Sequence, residues 1–370
     1  MRLMLWFEPE RAGEEADALR LHPEWMLWSG TNRTGSALVN LGHPAAWSNV
    51  CETVDALVSK LDLSCYRQDF NLAPAGALAF GEEPDRVGIR EIRHVTGLYR
   101  LWDTLLERHP GLLIDNCAGG GRRIDLELVR RSVLFCRSDY QCHTNISADV
   151  VQAHNAGSSR YLPYNGCWLK LKDLYSLRSS YAASWGTGMW GARQMTMSDA
   201  DFATLKKALA DYRRIKPFFA GDFHNLGSAT ADPSAWAIWH FRDPAADAGV
   251  LLLFRRARSS QATATCALPQ LGEGQYVFES LDGGASRMLS GADLRRRGFD
   301  VTLENPRSSA IYLYRPAEAP PAPCRELETV HQSDRRDLSL TAAADEFAFP
   351  GRTTVAVTGT DLLVRRSAAD

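Results

Sequence analysis

MRLMLWFEPE, residues 1–10, is a short apolar segment that ends in two carboxylates, Glu8 and Glu10. The same order returns three times: LSCY at 63–66 leads into RQDFN, LLID at 112–115 into NCAGGGRR, and SVLFC at 132–136 into RSDYQ. Short apolar runs that stop at polar or glycine-rich segments are typical of buried strands. The N-terminal part of the chain is therefore predicted to contain strands that end in polar loops.

Helical patterns lie between these strands. Residues 47–61 place their apolar side chains on one helical face, with Ser48 near the N-cap. Residues 97–108 repeat such a stripe, and Pro110 and Gly111 end it. Strand, loop and helix in repetition predict a parallel sheet or a βα barrel. In barrels the chemistry lies on the loops after the strands, which is where the polar residues of this chain occur.

The last third of the chain has a different character. WAIWHF, GVLLLFRR, QYVFES, FDVTL and SAIYLY are short apolar runs separated by Gly, Asp and Pro, which favours an antiparallel β-sandwich. PAEAPPAP at 316–323 has the composition of a linker. We therefore predict a partial (β/α) barrel as the catalytic domain over 1–225, a β-sandwich over 226–315, and a Pro/Ala linker and tail of unknown role over 316–370.

Composition excludes several classes of partner. The chain has 370 residues, 45% of them hydrophobic and 23% charged, which is ordinary for a folded soluble protein. A net charge of −2 favours neither nucleic acid nor an acidic membrane surface as a partner. No apolar run approaches the ~20 residues of a membrane span, and no signal-peptide pattern is seen. We expect a cytoplasmic protein, although a signal upstream of Met1 would be lost if the true start lies there.

Metal and cofactor motifs are absent from the sequence. The eight cysteines are scattered without a CxxC pair, and the histidines show neither HxH nor HExxH spacing. The glycine-rich run fits neither GxGxxG nor GxxxxGK[ST], and no GxSxG elbow occurs. We therefore expect no metal and no cofactor, with cysteines that are reduced thiols.

Two strand-end carboxylates are the candidates for chemistry. Asp69 in RQDFN and Asp139 in RSDY each follow an apolar strand, so a barrel would place both at one rim. Two carboxylates that face each other across a sugar are the minimum equipment for glycoside hydrolysis. Strand-end acids can equally be helix caps or ion-pair partners, and that alternative stays open. The three glycines after Cys117 would let the backbone approach a ligand.

Five segments carry a resemblance to a known family: WFEPE at 6–10, HPEW at 22–25, RQDFN at 67–71, NCAGGGRRID at 116–125 and RSDY at 137–140. In this order, and over about residues 1–315, the chain resembles the α-galactosidases of glycoside hydrolase family 36. The corresponding family segments read WFEPEM, HPxW, KWDMN, SCSGGGxRFD and WTSD.

The resemblance implies an α-galactosidase-like retaining hydrolase of terminal α-linked galactosides, of the kind used in raffinose catabolism. It implies Asp69 as the nucleophile and Asp139 as the acid/base. It also implies a carbohydrate substrate and no cofactor. We further expect a homo-oligomer. The implied sugar contacts are Trp6, Arg33, Arg67 (where the family has Lys), Asn71, Cys117 and Gly120.

Departures from the family pattern bear on substrate identity and on the fold. Gln68 and Cys136 stand where the family has Trp, and the second acid of its SDxxD pattern is missing. WFEPE would be the third barrel strand, so the expected fold is a (β/α)8-type TIM barrel that lacks its first two strands, plus the antiparallel β-sandwich. The alternative function is a truncated, catalytically impaired barrel remnant with at most weak sugar binding.

Overall fold

A computed structural model describes residues 2–320, apart from 144, 163, 170–172 and 188–197, together with three strands nearer the C-terminus. The chain divides into two compact units, Leu3–Cys324 and a second that takes in Arg325–Asp370. Both proposed catalytic acids and the β-sandwich lie in the first unit.

Strands and helices alternate in the N-terminal two thirds of the first unit. In chain order they are β1 (Met4–Phe7), β2 (Arg11–Ala12), α1 (Asp17–Leu21), β3 (Met26–Leu27), β4 (Ala37–Val39), α2 (Pro44–Lys60), β5 (Cys65–Gln68), α3 (Pro74–Ala79), α4 (Ile89–Arg108), β6 (Leu113–Asn116), α5 (Leu126–Val129), α6 (Ala148–Ser158), β7 (Gly166–Leu169), α7 (Leu174–Ser179), β8 (Ser184–Thr187) and α8 (Asp199–Ile215).

A parallel array of strands positions the candidate site. Strand β1 pairs in parallel with β5, and β5 pairs in parallel with β6. Single parallel bridges continue the array from Asp115 to Val133 and from Leu134 to Asn165, and β7 pairs in parallel with β8. The strand predicted at 132–136 is thus present only as these two bridges. Because parallel strands end at a common edge, the polar residues after them converge.

A small antiparallel sheet, not predicted from the sequence, lies between β1 and α2. Its strand order is β2-β4-β3. Leu38 on the central strand is fully buried and packs with Phe70, Leu78 and Ala118. The small sheet therefore supports the segments that follow β5 and β6, where the candidate site lies.

Helices α2 and α4 cover the array and begin earlier than predicted. His43, rather than Ser48, caps α2, its ring nitrogen accepting from the amide of Ala46 at 3.4 Å. Helix α4 begins at Ile89, eight residues before the predicted stripe at 97–108. Its predicted apolar face is buried in the same core as α2. Leu101 is fully buried there, so we expect Leu101→Ala to cost about 2–5 kcal/mol of stability.

The predicted β-sandwich is present. Its strands and helix are β9 (Asp222–Asn225), β10 (Trp236–Asp243), β11 (Ala248–Arg255), β12 (Thr263–Cys266), β13 (Gln275–Ser280), β14 (Arg287–Ser290), α9 (Gly291–Arg296), β15 (Phe299–Thr302) and β16 (Ser308–Pro316). One sheet has the order β14-β13-β16-β11-β10-β9, and β12 pairs with β15 in a second sheet. All of these pairings are antiparallel. The sheet thus begins at Asp222, slightly before the predicted boundary at 225.

Each face of the larger sheet is buried. Trp239, Leu252 and Phe254 pack against α7 and α8, whereas Leu251 and Leu253 point to the second sheet. Arg178 of α7, almost fully buried, donates to Asp211 of α8 at 2.6 Å and to Asp282 of the sandwich at 2.9 Å. These contacts fix the sandwich to the helices that follow β7 and β8.

The second unit contains β17 (Leu338–Ser339), β18 (Thr353–Thr358) and β19 (Asp361–Arg366). They form an antiparallel sheet in the order β17-β18-β19. Across the described parts of both units, no helix has the length and apolar character to cross a membrane.

Candidate active site

Asp69 lies directly after β5 and is held by four donors. The indole N–H of Trp6, on the neighbouring strand β1, donates to Asp69 Oδ2 at 3.0 Å. The amides of Phe70 and Gly119 donate to Asp69 Oδ1 at 2.7 and 3.2 Å. The thiol of Cys117 also hydrogen-bonds to this carboxyl group. Burial opposes ionisation of Asp69, but the four hydrogen bonds outweigh it and lower its pKa to about 2. Asp69 is therefore an anion at any physiological pH.

Cys117 itself is a neutral thiol. It is almost completely buried, and burial together with the Asp69 charge raises the pKa of the thiol to about 12, against a smaller opposing effect of Arg67. Cys117 can therefore donate to Asp69 but is a poor nucleophile. Its burial is typical of an inert thiol, whereas its contact with Asp69 places it at the site.

The glycine-rich segment connects the two acids. Gly119 and Gly120 have φ angles of 54° and 82°, in the left-handed region that favours glycine. Gly119 donates to Asp69, and a Cβ on Gly120 would lie 2.8 Å from the amide nitrogen of Asp139 and 3.3 Å from its Cγ. Consecutive residues of one loop thus touch Asp69 and the backbone of Asp139, so the two carboxyl groups share one site.

Asp139 begins a 3₁₀ turn, Asp139–Cys142, just beyond the isolated bridges of the array. The hydroxyl of Ser138 caps this turn by accepting from the amide of Tyr140 at 3.1 Å. Burial raises the pKa of Asp139, and the negative charge of Asp69 raises it further, against the smaller opposing effects of Arg67, Arg122 and His143. The two carboxyl groups are therefore shifted in opposite directions, as an acid and a nucleophile require.

Arg67 lies under the site rather than in its opening. Only 5% of Arg67 is exposed; its guanidinium pairs with the buried carboxylate of Asp115 and lies 5.2 Å from the ring centroid of Trp168. Asp115 also accepts from the amide of Phe135 at 2.9 Å. Burial opposes the charge of Arg67, but Asp115 outweighs it and raises the pKa of Arg67. The ion pair ties β5 to β6 beside Cys117.

Trp6 and Asn71 reach the surface of the site. Trp6 is 42% exposed although its N–H is held by Asp69, so its indole is open to a ligand. Asn71 is exposed, and its amide group donates to Glu8 at 2.8 Å. Arg33 lies on the exposed segment between β3 and β4, and among the hydrogen bonds and ion pairs of the described residues none connects it to either acid.

A buried network around Glu10 was not predicted, although Glu10 is visible in WFEPE. Glu10 Oε1 accepts from Gln68 at 2.8 Å and from Arg123 at 2.7 Å, and Oε2 contacts His94 Nε2 at 3.0 Å. Because the amide of Leu41 donates to His94 Nδ1, the ring proton lies on Nε2 and is donated to Glu10. Burial opposes ionisation of Glu10, but Arg123 and His94 outweigh it and lower its pKa to about 2.

The network around Glu10 also holds the glycine loop in place. Arg123, bound to Glu10, also donates to the carbonyl of Cys117 at 3.1 Å. Gln68, which stands where the resembling family has Trp, accepts from the indole of Trp102 at 2.6 Å. Glu8 forms an ion pair with Arg11 at 2.7 Å and holds Asn71. The two carboxylates of WFEPE thus brace the residues on either side of Asp69.

No metal centre emerges from this geometry. Within the described ranges, no group of three or more His, Cys, Asp or Glu side chains is arranged to hold a metal ion. The cysteines in those ranges form no disulfide.

Comparison with known proteins agrees with the resemblance seen in the sequence. Residues 1–148 match the family model for melibiase. α-Galactosidase 1 of Pediococcus pentosaceus is 24% identical over 311 residues, which are 79% of this chain and 41% of the relative. An α-galactosidase of Escherichia coli is 31% identical over 143 residues, 38% of this chain and 19% of the relative. The chain thus spans less than half the length of these relatives.

Solved structures show the same fold. The family 36 α-galactosidase AgaA of Geobacillus stearothermophilus, in complex with 1-deoxygalactonojirimycin, matches 85% of this chain and 45% of its own length, with a TM-score of 0.71 and 18% identity. The galactosidase domain of an α-galactosidase–sucrose kinase matches with a TM-score of 0.69 and 19% identity, covering 85% of this chain and 44% of that chain. The resemblance to the α-galactosidases of glycoside hydrolase family 36 is therefore confirmed, through the melibiase model over residues 1–148 and through relatives over most of the chain.

Proposed function

We propose that this chain carries the catalytic centre of a retaining glycoside hydrolase that acts on terminal α-linked galactosides. The proposal rests on the pair Asp69 and Asp139. Both residues lie against the same glycine loop, and the pKa values of their carboxyl groups are shifted in opposite directions. Support for the substrate class comes from variants of α-galactosidase AgaA, whose structures include complexes with raffinose and stachyose.

In the first step the Asp69 carboxylate attacks the anomeric carbon of the galactoside. Asp139 protonates the glycosidic oxygen as the bond to the leaving group breaks, which leaves a β-linked galactosyl ester on Asp69. In the second step Asp139, now a carboxylate, takes a proton from water. That water attacks the anomeric carbon from the α face, releases α-galactose and regenerates the Asp69 carboxylate.

The other residues position these groups. Trp6, Cys117 and the amide of Gly119 orient Asp69 and keep it ionised, and the open face of Trp6 offers a surface on which a sugar ring can stack. Asn71 at the rim is proposed to contact sugar hydroxyls. Arg67, nearly fully buried and paired with Asp115, acts chiefly through the position of Cys117 and through its charge.

The architecture proposed for this function is a (β/α)8 barrel. We infer that the parallel positions β1, β5, β6, 133–134, β7 and β8 correspond to six of the strands of such a barrel. The TM-scores against the family 36 enzymes support this correspondence. A homo-oligomer remains a prediction.

The test is hydrolysis of p-nitrophenyl glycosides by four proteins: the unaltered chain, Asp69→Asn, Asp139→Asn, and the control Asp85→Asn in an exposed loop. We expect the unaltered chain and the control to hydrolyse the α-galactoside in preference to the β-galactoside and the α-glucoside. Each active-site variant should lose at least about 10²-fold in kcat/KM, the usual contribution of such a group.

Two results would overturn the proposal. One is an unaltered chain that hydrolyses none of the three glycosides, which would leave the impaired sugar-binding remnant as the better account. The other is an Asp69→Asn protein as active as Asp85→Asn, which would remove Asp69 from the chemistry.

A further inference from the structure

We propose that Arg122 makes this site selective for galactosides that carry a negative charge, an inference that rests on the proposed function. A carboxylate, sulfate or phosphate group on the substrate would be its ligand. Three features of Arg122 lead to this inference: its side chain is held by the backbone, no carboxylate of the described residues pairs with it, and it lies beside the loop that touches both acids.

Backbone carbonyls hold the guanidinium in place. Nε of Arg122 donates to the carbonyl of Ala118 at 2.6 Å, and one terminal nitrogen donates to the carbonyl of Phe70 at 3.2 Å. The group lies against Gly119, where a Cβ would come within 3.0 Å of the guanidinium carbon. Gly119, which has no side chain, therefore leaves room for the guanidinium. A side chain fixed at two points loses less freedom when a ligand binds.

Among the described residues, the neighbouring arginines have carboxylate partners, whereas Arg122 has none. Arg67 pairs with Asp115, and Arg123 pairs with Glu10. Among the described residues no carboxylate forms an ion pair with Arg122, and its side chain is exposed. The second terminal nitrogen of its guanidinium thus keeps two N–H groups that can donate to an anionic oxygen.

Arg122 is exposed and lies beside the loop that touches both acids. Phe70, whose carbonyl it binds, follows Asp69 in the chain, and Gly119, which it covers, donates to Asp69. The next residue, Gly120, touches Asp139. The positive charge of Arg122 acts on Asp139, where it opposes the larger effects of burial and of Asp69 on the pKa. A bound substrate would therefore lie within reach of this guanidinium.

A neutral galactoside offers no anionic group to these donors. The charge could lie on the leaving group, or on the sugar ring as a uronate. Two matched substrate pairs distinguish these sources. The first pair is 4-carboxyphenyl against 4-carbamoylphenyl α-galactoside, and the second is p-nitrophenyl α-galacturonide against p-nitrophenyl α-galactoside. Within each pair the shape is similar and the charge differs.

The experiment measures kcat/KM for both pairs with the unaltered chain, Arg122→Gln, Arg122→Lys and the exposed control Arg20→Gln. In the unaltered chain we expect the charged member of one pair to be favoured by about tenfold at low ionic strength, as for a charge-assisted hydrogen bond. The preference should shrink as salt is raised. It should vanish in Arg122→Gln, survive in part in Arg122→Lys, and be unchanged in Arg20→Gln.

Equal kcat/KM within both pairs for the unaltered chain would overturn the inference. An Arg122→Gln protein in which kcat/KM falls equally for both members of a pair would also overturn it, because Arg122 would then act only through Asp139. Binding of the same galactosides by calorimetry separates this failure from that of the proposed function. A chain without turnover that still binds the charged member more tightly, through Arg122, would retain the inference while the hydrolase proposal fails.

Discussion

Adding one methyl group to Gly120 should damage the site without removing any functional group. The new Cβ would lie 2.8 Å from the amide nitrogen of Asp139, whereas ordinary contacts are 3.4 Å or longer. Asp139 or the loop must therefore move by about 0.6 Å. Such crowding in a packed region costs about 1–3 kcal/mol, and the left-handed φ of 82° adds about 1–2 kcal/mol for a residue with a Cβ.

Gly35→Ala is the matched control. Gly35 has a φ of 79°, nearly that of Gly120, but nothing lies within 4 Å of an added Cβ. Both variants carry the backbone strain, and only Gly120→Ala pushes on Asp139. Since a displacement of about 1 Å can cost 10²-fold in rate, we expect kcat/KM to fall by about 10- to 100-fold in Gly120→Ala and to stay near the unaltered value in Gly35→Ala.

The assay is hydrolysis of p-nitrophenyl α-galactoside, with the thermal midpoint measured in parallel. Both variants should melt cooperatively, Gly120→Ala at the lower temperature. A Gly120→Ala protein whose kcat/KM lies within twofold of Gly35→Ala would refute the idea that this loop sets the position of Asp139.

Three further predictions follow from the pKa shifts. Because burial and Asp69 raise the pKa of Asp139, kcat/KM should fall as pH rises through that pKa; Asp139→Asn should remove this limb, and an unchanged profile in the variant would count against the assignment. Trp6→Phe removes one donor to Asp69 and should raise the pKa of Asp69 from about 2 by roughly one unit. The acid limb of the kcat/KM profile should then move to higher pH, whereas the control Trp236→Phe in the sandwich should leave it in place. Glu10, with a pKa lowered to about 2, should contribute on the order of 3 kcal/mol to the free energy of unfolding at pH values above its unfolded pKa of about 4.5, and this contribution should be lost as pH falls towards 2. Urea unfolding at pH 5 and pH 3 should show the loss, and Glu10→Gln should make it smaller.

The sequence predicted the position of both acids because strand and helix patterns determine it. Apolar runs before RQDFN and RSDY, with a helical stripe between them, place Asp69 and Asp139 at the ends of parallel strands. Asp69 does follow β5, which begins at Cys65, two residues later than predicted. Asp139 follows two single parallel bridges at 133 and 134 rather than the full strand that was predicted. Strands buried on both faces have no alternation to mark their ends, so such boundaries are the least certain feature of a pattern.

Long-range partners could not be read from the sequence. Glu10 binds Gln68 and Arg123, which lie 58 and 113 positions away, so no local pattern connects them. Strands β2, β3 and β4 have only two or three residues each, too few for any periodicity. The resemblance implied a sugar contact from Arg33, and that contact remains a prediction because no described interaction ties Arg33 to the site.

Azide rescue tests the proposed roles of the two acids, attack on the sugar by Asp69 and proton transfer by Asp139. Both Asp69→Gly and Asp139→Gly are supplied with azide and an activated α-galactoside, and the anomer of the galactosyl azide is read by NMR. In Asp69→Gly azide takes the place of the nucleophile and attacks the substrate directly, so the product should be the β anomer. In Asp139→Gly azide attacks the β-linked ester on Asp69, so the product should be the α anomer. An α anomer from Asp69→Gly, or a β anomer from Asp139→Gly, would contradict the assignment of the two roles.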